Sequence, residues 1–260
     1  FSCYIWNISM VMRLASDLKK LLPKSVIILG GPEVSYDQYD ILEKHGYIDF
    51  VLSGEGENSF PKLIRCIEAS MAAFDKAGTG DMQKLTGSAE LADIEGLSFR
   101  NNGRIVTNPP AIVAELDKIP SPYTGEMLST LKNRIAYMET SRGCPFSCSY
   151  CLSSACTGVR YFSLERVFSD LDRLLSSGVK QVKFVDRTFN FNRKRALVII
   201  NHIIGLNVRD CNFHFEVGAD LFDDELLDVL ESAPPGLFQV EAGVQTTNEA
   251  TLEAINRKTN

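Results

Sequence analysis

Ile135-Ala136-Tyr137-Met138-Glu139-Thr140-Ser141-Arg142-Gly143-Cys144-Pro145-Phe146-Ser147-Cys148-Ser149-Tyr150-Cys151 is the stretch on which the fold turns. Residues 135–139 read as a strand, and three cysteines follow it in a C-x3-C-x2-C spacing. Further strand-like runs lie at 181–186, 212–217 and 239–244. Between the first two, residues 163–177 keep helical spacing through Leu164, Val167, Phe168, Leu171, Leu174 and Leu175, and Gly178 ends the helix. Helices at 192–204 and 223–232 continue the series, the second stopping before Pro234-Pro235-Gly236. Four βα units in a row predict half of a βα barrel over residues 134–260. The cysteines then fall on the face where such barrels place their active sites.

Upstream, residues 1–70 alternate strand and helix with a shorter period. Residues 1–7 read as a strand, and 9–22 as an amphipathic helix with Met12, Leu14, Ala15, Leu18, Leu21 and Leu22 on its apolar side. Val26-Ile27-Ile28-Leu29 is a continuous apolar run, the mark of a parallel strand covered on both faces. It ends in Gly30-Gly31-Pro32 and leads to a helix at 36–44 and a strand at 49–52. Gly54-Glu55-Gly56-Glu57 follows, with Ser59 and Pro61 opening another helix. This order predicts an α/β fold of the open, doubly wound kind. Residues 71–133 break the composition and are expected to be a linker. A polar loop at 77–88 precedes a hairpin centred on Asn101-Asn102-Gly103, and Pro109-Pro110 and Pro120-Ser121-Pro122 mark an extended connector. Because Phe1 opens inside an apparent strand and residues 254–260 resemble an unfinished helix, the chain is expected to continue at both ends.

Composition narrows the function classes. The 260 residues are 45% hydrophobic and 23% charged, with a formal charge of -6. Nothing here offers the basic field of a nucleic-acid binder. No apolar run approaches the ~18 residues of a membrane span, and no signal peptide is visible, so the cytoplasm is the expected compartment. Seven cysteines, three of them clustered, do not form a spread disulfide framework and point to metal or redox chemistry.

Three thiolates hold three corners of a four-iron cluster, whereas full ligation takes four; one iron is then left open to a further ligand. The competing reading is a structural zinc site with Cys156 as fourth ligand. Strand alternation adds the surroundings: Glu241 and Gln245 face the barrel interior, as do His214 and Glu216, opposite Phe213, Phe215 and Val217. Buried carboxylates need partners, either a barrel Lys or Arg or a ligand carrying an ammonium group and hydroxyls. His214 and His202 read as packing residues rather than metal ligands, and Cys3, Cys66 and Cys211 as small buried hydrophobes.

Cys144, Cys148 and Cys151, with Tyr150 before the last and Arg142-Gly143 ahead of the first, resemble the signature of radical S-adenosylmethionine enzymes. The resemblance implies a [4Fe-4S] cluster whose open iron chelates S-adenosylmethionine, and whose reduction yields a 5′-deoxyadenosyl radical. An electron donor such as flavodoxin or ferredoxin is implied with it. Likeness to oxygen-independent coproporphyrinogen oxidase and its relatives implies cofactor contacts at Glu216, at Gln245 within Gly243-Val244-Gln245-Thr246, and at Arg257. Tyr150 is placed in the same pocket. The superfamily's Gly-Gly-Glu segment is replaced by Val185-Asp186-Arg187-Thr188-Phe189-Asn190, which leaves Asp186 as the expected binder of the cofactor's amino group. Gly30-Gly31-Pro32-Glu33 and Gly54-Glu55-Gly56-Glu57 resemble the second half of a flavodoxin-like, Rossmann-type cobalamin-binding domain. There Gly30, Gly31, Gly54 and Glu55 are expected to line the groove for the corrinoid's nucleotide tail. No histidine stands in the context of a lower axial ligand. The whole resembles uncharacterised cobalamin-domain radical SAM proteins of the methyltransferase-like class, acting on a small-molecule or peptide substrate. A methylthiotransferase-like RNA modifier and a non-catalytic corrinoid or redox sensor are the alternatives.

Overall fold

A computed structural model of the chain describes residues 1–77, 89–155 and 158–258. The chain divides into two units, Phe1–Ala114 and Glu115–Asn260.

In the first unit, β1 (Ile28–Gly30) and β2 (Phe50–Leu52) are parallel, with Leu29 level with Val51. Alternation along these strands sorts the core into two. Leu29 and Val51 pack with Val11 and Ala15 of α1 (Ile8–Leu21) and Leu42 of α2 (Gln38–Lys44). Phe50 and Leu52 pack with Leu63 and Ile67 of α3 (Gly56–Ala77) and with Leu97 and Phe99. Apolar residues of opposite parity thus enter different clusters, as expected of a doubly wound sheet.

The hairpin departs from expectation. β3 (Leu97–Asn101) and β4 (Arg104–Thr107) form where the Asn102-Gly103 turn is, with φ of 48° and 78° as a two-residue hairpin turn requires. They are not linker: β3 pairs antiparallel with β2, Phe99 opposite Phe50, and completes a sheet ordered β1-β2-β3-β4. Phe99 and Leu97 are fully apolar on the face that Phe50 and Leu52 also use, so leaving the hairpin free would expose that face. The division between units therefore falls after Ala114, and residues 115–133 go with the second unit. The first seven residues also differ. Only Ser2 bridges to the sheet, at Gly30, after which Asn7 accepts the Tyr4 N–H at 2.8 Å and turns the chain into α1. Of the loop expected at 77–88, all but Ala77 lies outside the described residues, and Ala77 ends α3.

The second unit opens with β5 (Ile135–Met138), then β6 (Ser141–Cys144) and β7 (Gly158–Tyr161), which form a small antiparallel pair of their own. β8 (Gln181–Phe184), β9 (Asn212–Val217) and β10 (Phe238–Ala242) join β5 in an all-parallel sheet ordered β10-β9-β8-β5. Successive barrel strands are neighbours, as in βα units. The intervening helices begin where their caps dictate. Ser163 accepts from Arg166 N ahead of Leu164–Ser176, Asn192 from Arg195 N ahead of Arg193–Gly205, and Asp223 from Leu226 N ahead of Asp224–Glu231. One face of the sheet is apolar: Ala136, Met138, Val182, Phe184, Phe213 and Phe215 are buried. The Phe215 ring lies 4.6 Å from Phe184, 4.2 Å from Phe189 and 5.8 Å from Phe238, centroid to centroid. The other face is polar, with Lys183 level with His214, and Glu216 level with Glu241.

Candidate functional site

The cysteine loop is launched by a buried carboxylate. Asp186, 1% exposed, accepts the Thr140 N–H at 3.0 Å and the Thr140 hydroxyl at 2.7 Å. It also accepts the Ser141 hydroxyl. Burial pushes its carboxyl above the ordinary value, and those hydrogen bonds oppose the shift. The chain then enters β6, whose Gly143 has φ +96°. A Cβ there would lie 2.0 Å from the Gly158 carbonyl oxygen of β7, so only glycine fits. β6 ends at Cys144, and the loop that follows carries Cys148 and Cys151. Within it, Cys151 N donates to Cys148 O at 3.1 Å, and Ser154 donates to Cys151 O through both its amide and its hydroxyl.

All three cysteines are free and line one cavity of about 280 Å³. Around them stand Tyr150, Glu216, Gln245 and Arg257, four of the residues expected from the sequence, together with Thr188 and Glu241. Thr188 Oγ1 is 3.9 Å from Cys144 Sγ. Arg257 donates to Tyr150 OH at 2.9 Å and to the Gly243 carbonyl, while its Nε is buried without a hydrogen-bond partner. Gln245 takes a left-handed backbone, φ 64°. Glu216 is partnered within the sheet. Lys183 Nζ lies 3.8 Å from its Oε1 and 3.5 Å from Glu241 Oε2. His214 Nε2 approaches the same Glu241 oxygen to 3.2 Å without meeting hydrogen-bond geometry. One lysine thus faces two carboxylates, and Arg187, Arg257 and Lys258 add positive charge to the same cavity wall.

Asp186 is corrected. It is not among the lining residues: its carboxylate accepts side-chain hydrogen bonds from Thr140 and Ser141, and it shares parity with the buried Val182 and Phe184. The same parity rule that placed Glu216 would have placed Asp186 on the covered face. Glu241 was legible as inward-facing, but Lys183, level with His214, carried no motif to mark it. Cys156 lies outside the described residues. Among the described residues, no three His, Cys, Asp or Glu side chains are grouped as ligands of a single metal ion.

The front-unit glycines meet constraints from the chain itself. A Cβ on Gly31 (φ +104°) would sit 2.6 Å from Cys3 O, and one on Gly54 (φ +82°) 2.3 Å from Ala111 O. The chain's own close approaches already require glycine at both positions. Gly30 has ordinary room, its nearest neighbour being Leu52 O at 3.6 Å. Glu55 accepts from Val113 N at 2.7 Å through its carboxylate and ties the segment after β4 to the sheet.

Residues 138–260 match the family model of the radical SAM superfamily, and residues 1–64 that of the B12 binding domain. An uncharacterised methyltransferase of Pyrococcus horikoshii is 28% identical over 252 residues, a match covering 94% of this chain and 50% of that protein. The cobalamin-dependent radical SAM methyltransferase TokK of Streptomyces tokunonensis is 27% identical over 275 residues, covering 99% of this chain and 37% of the relative. Among solved structures, the radical S-adenosylmethionine methyltransferase TsrM of Kitasatospora setae, with cobalamin and a [4Fe-4S] cluster bound, superposes with a TM-score of 0.65. That match has 17% identity and covers 95% of this chain and 46% of TsrM, a likeness of fold. The chain thus spans half or less of the length of these relatives.

Proposed function

We propose, from the premise that this chain carries a B12-binding domain at residues 1–64 and a radical SAM domain at residues 138–260, that it belongs to a cobalamin-dependent radical SAM methyltransferase. The observation that carries the reading is the convergence of Cys144, Cys148 and Cys151 with Glu216, Gln245 and Arg257 on one cavity. The donor set fits the group: three free thiols and no fourth cysteine among the described lining residues suit a cluster with one open iron. Bound there, the cluster supplies an electron to S-adenosylmethionine and cobalamin supplies a carrier for the methyl group.

The chain's own residues do the holding. The three cysteine sulfurs ligate. The unpartnered Arg257 Nε–H and the Gln245 amide offer hydrogen bonds to the polar groups of S-adenosylmethionine, and Glu216 offers it a carboxylate. Tyr150 OH, accepting from Arg257, steadies the guanidinium. Assignment of the front unit to cobalamin rests on the family match, since Gly31 and Gly54 are accounted for by chain packing. A cytoplasmic setting, where thiols stay reduced, and a flavodoxin or ferredoxin as electron donor belong to the proposal. No described helix is long and apolar enough to cross a membrane. Nothing in the named relatives favours an RNA-modifying or sensor role.

The test is turnover without substrate. Anaerobically reconstituted protein, reduced with dithionite in the presence of S-adenosylmethionine, is expected to release 5′-deoxyadenosine or to methylate bound cobalamin. Neither product from protein loaded with about four irons would overturn the reading.

A further inference from the structure

The loop between Cys144 and Cys151 makes few bonds to itself, yet it is held on three sides by a segment more than a hundred residues away. Ser149 N donates to Ile255 O at 2.9 Å. Asn256 Nδ2 donates to Ser147 O at 3.0 Å and to Ser147 Oγ at 2.7 Å. Arg257 Nη1 donates to Tyr150 OH. Residues 147, 149 and 150 are thus each tied to the turn that follows the helix Glu249–Ala254. The two ligand positions in the loop lie between and just beyond those ties, and Cys148 is flanked by two of them. Asn256 adopts φ 51°, a left-handed backbone that asparagine tolerates better than most residues. That backbone accompanies Ile255 O bonding to Ser149 while the Asn256 side chain reaches Ser147.

We infer that Asn256, acting through Ser147, is a positioning residue that fixes the Cys148 segment of the cluster-binding loop. The inference rests on the reading that the three cysteines ligate the cluster, but the clamp itself does not. Ser147 and Ser149 are both exposed on either side of the buried Cys148, so their own side chains add no packing and the hydrogen bonds restrain the backbone at these two positions. Without the clamp, Cys148 must be ordered by the metal at the moment of binding. That ordering entropy then weakens retention of the cluster.

The variants separate side chain from backbone. Asn256→Gly keeps the left-handed conformation at no steric cost and deletes only the amide donor, whereas Ser147→Ala deletes one of its two acceptors. In metal-free protein, hydrogen exchange at the Ser149 amide is expected to be slowed in the wild type and to quicken in Asn256→Gly. In reconstituted protein, the same variant is expected to take up iron through the three cysteines. It should release it to a chelator roughly tenfold faster, the factor carried by one or two lost hydrogen bonds, with a displaced reduction potential. Ser147→Ala should fall between. Asn256→Gly exchanging at Ser149 as the wild type does, or matching its iron release and potential, would overturn the inference. A wild type that binds no cluster while the exchange difference persists would sink the cluster reading, and with it this role, and leave the clamp as a bare fold contact.

Discussion

At the scale of single residues, burial divides the described cysteines across the motif boundary: Cys3, Cys148 and Cys211 are buried, while Cys144, Cys151 and, against expectation, Cys66 are partly exposed. Cys211 is buried, and burial pushes its thiol up to about 11. At pH 8 about one molecule in a thousand then carries the reactive thiolate. Iodoacetamide treatment of metal-free protein at that pH is expected to label Cys144 and Cys151, which are partly exposed, while peptide mapping finds Cys211 unmodified. Around the cavity, Glu216→Ala, Gln245→Ala and Arg257→Ala are each expected to weaken S-adenosylmethionine binding by on the order of 1–3 kcal/mol. Iron content should be unchanged, with calorimetry on reconstituted protein as the measurement. Glu216 should show the smallest loss, because its removal also frees Lys183 from one of two competing carboxylates. Such residues were legible because alternation is a strict rule once a strand is located: Glu216 faces away from Phe213 and Phe215 whatever else happens. Asp186 stands at a family position, yet it shares the parity of the buried Val182 and Phe184 and lies with them. Gly31 and Gly54 are required by something that sequence does not contain, the passage of Cys3 and Ala111 beside them.

At the scale of elements, long periodic segments gave themselves away and short ones did not. The helix Leu164–Ser176 repeats its apolar residues over three turns, so it was visible. β6 and β7 have four residues each, among them Gly143, Arg142 and Gly158, with no alternation to read. Only their pairing with each other makes them strands. The hairpin was recognised by its turn, yet its destination was not, since a hairpin's local signal carries no information about which sheet it joins. The turn from β5 into β6 provides a pH test. The Asp186 carboxyl is raised in the folded state, so the fold binds this proton more tightly than the unfolded chain. Its contribution is fully favourable below the ordinary value of 3.8 and is lost as pH rises through the raised folded value. Asp186→Asn removes the titration. Melting curves are expected to show a wild-type stability that declines relative to the variant as pH increases above 3.8; a constant difference across that range would refute the assignment. At the same junction, Gly143→Ala should prevent β6 from approaching β7 and lower cluster uptake, because the added methyl would lie on the Gly158 carbonyl.

At the scale of the whole molecule, each unit closes a core of its own, which makes damage separable. Gly31→Val forces a branched side chain into a left-handed backbone against Cys3 and is expected to destabilise the front unit by at least about 1–3 kcal/mol. Iron content and 5′-deoxyadenosine formation in the second unit should survive while corrinoid is lost on desalting. Equal loss of iron would show that the two cores do not stand independently. The sheet of the second unit has a further consequence, for synthesis. Each parallel strand after β5 pairs with one already made, so the sheet is able to grow in the order in which the ribosome delivers it. Asn256, however, lies 109 residues beyond the serine it holds. At translation rates of about 5–20 residues per second, roughly 5–20 s pass between the two. For that interval the loop lacks its tie to Asn256, so iron delivered after Asn256 is made would meet a better-ordered acceptor than iron delivered before it.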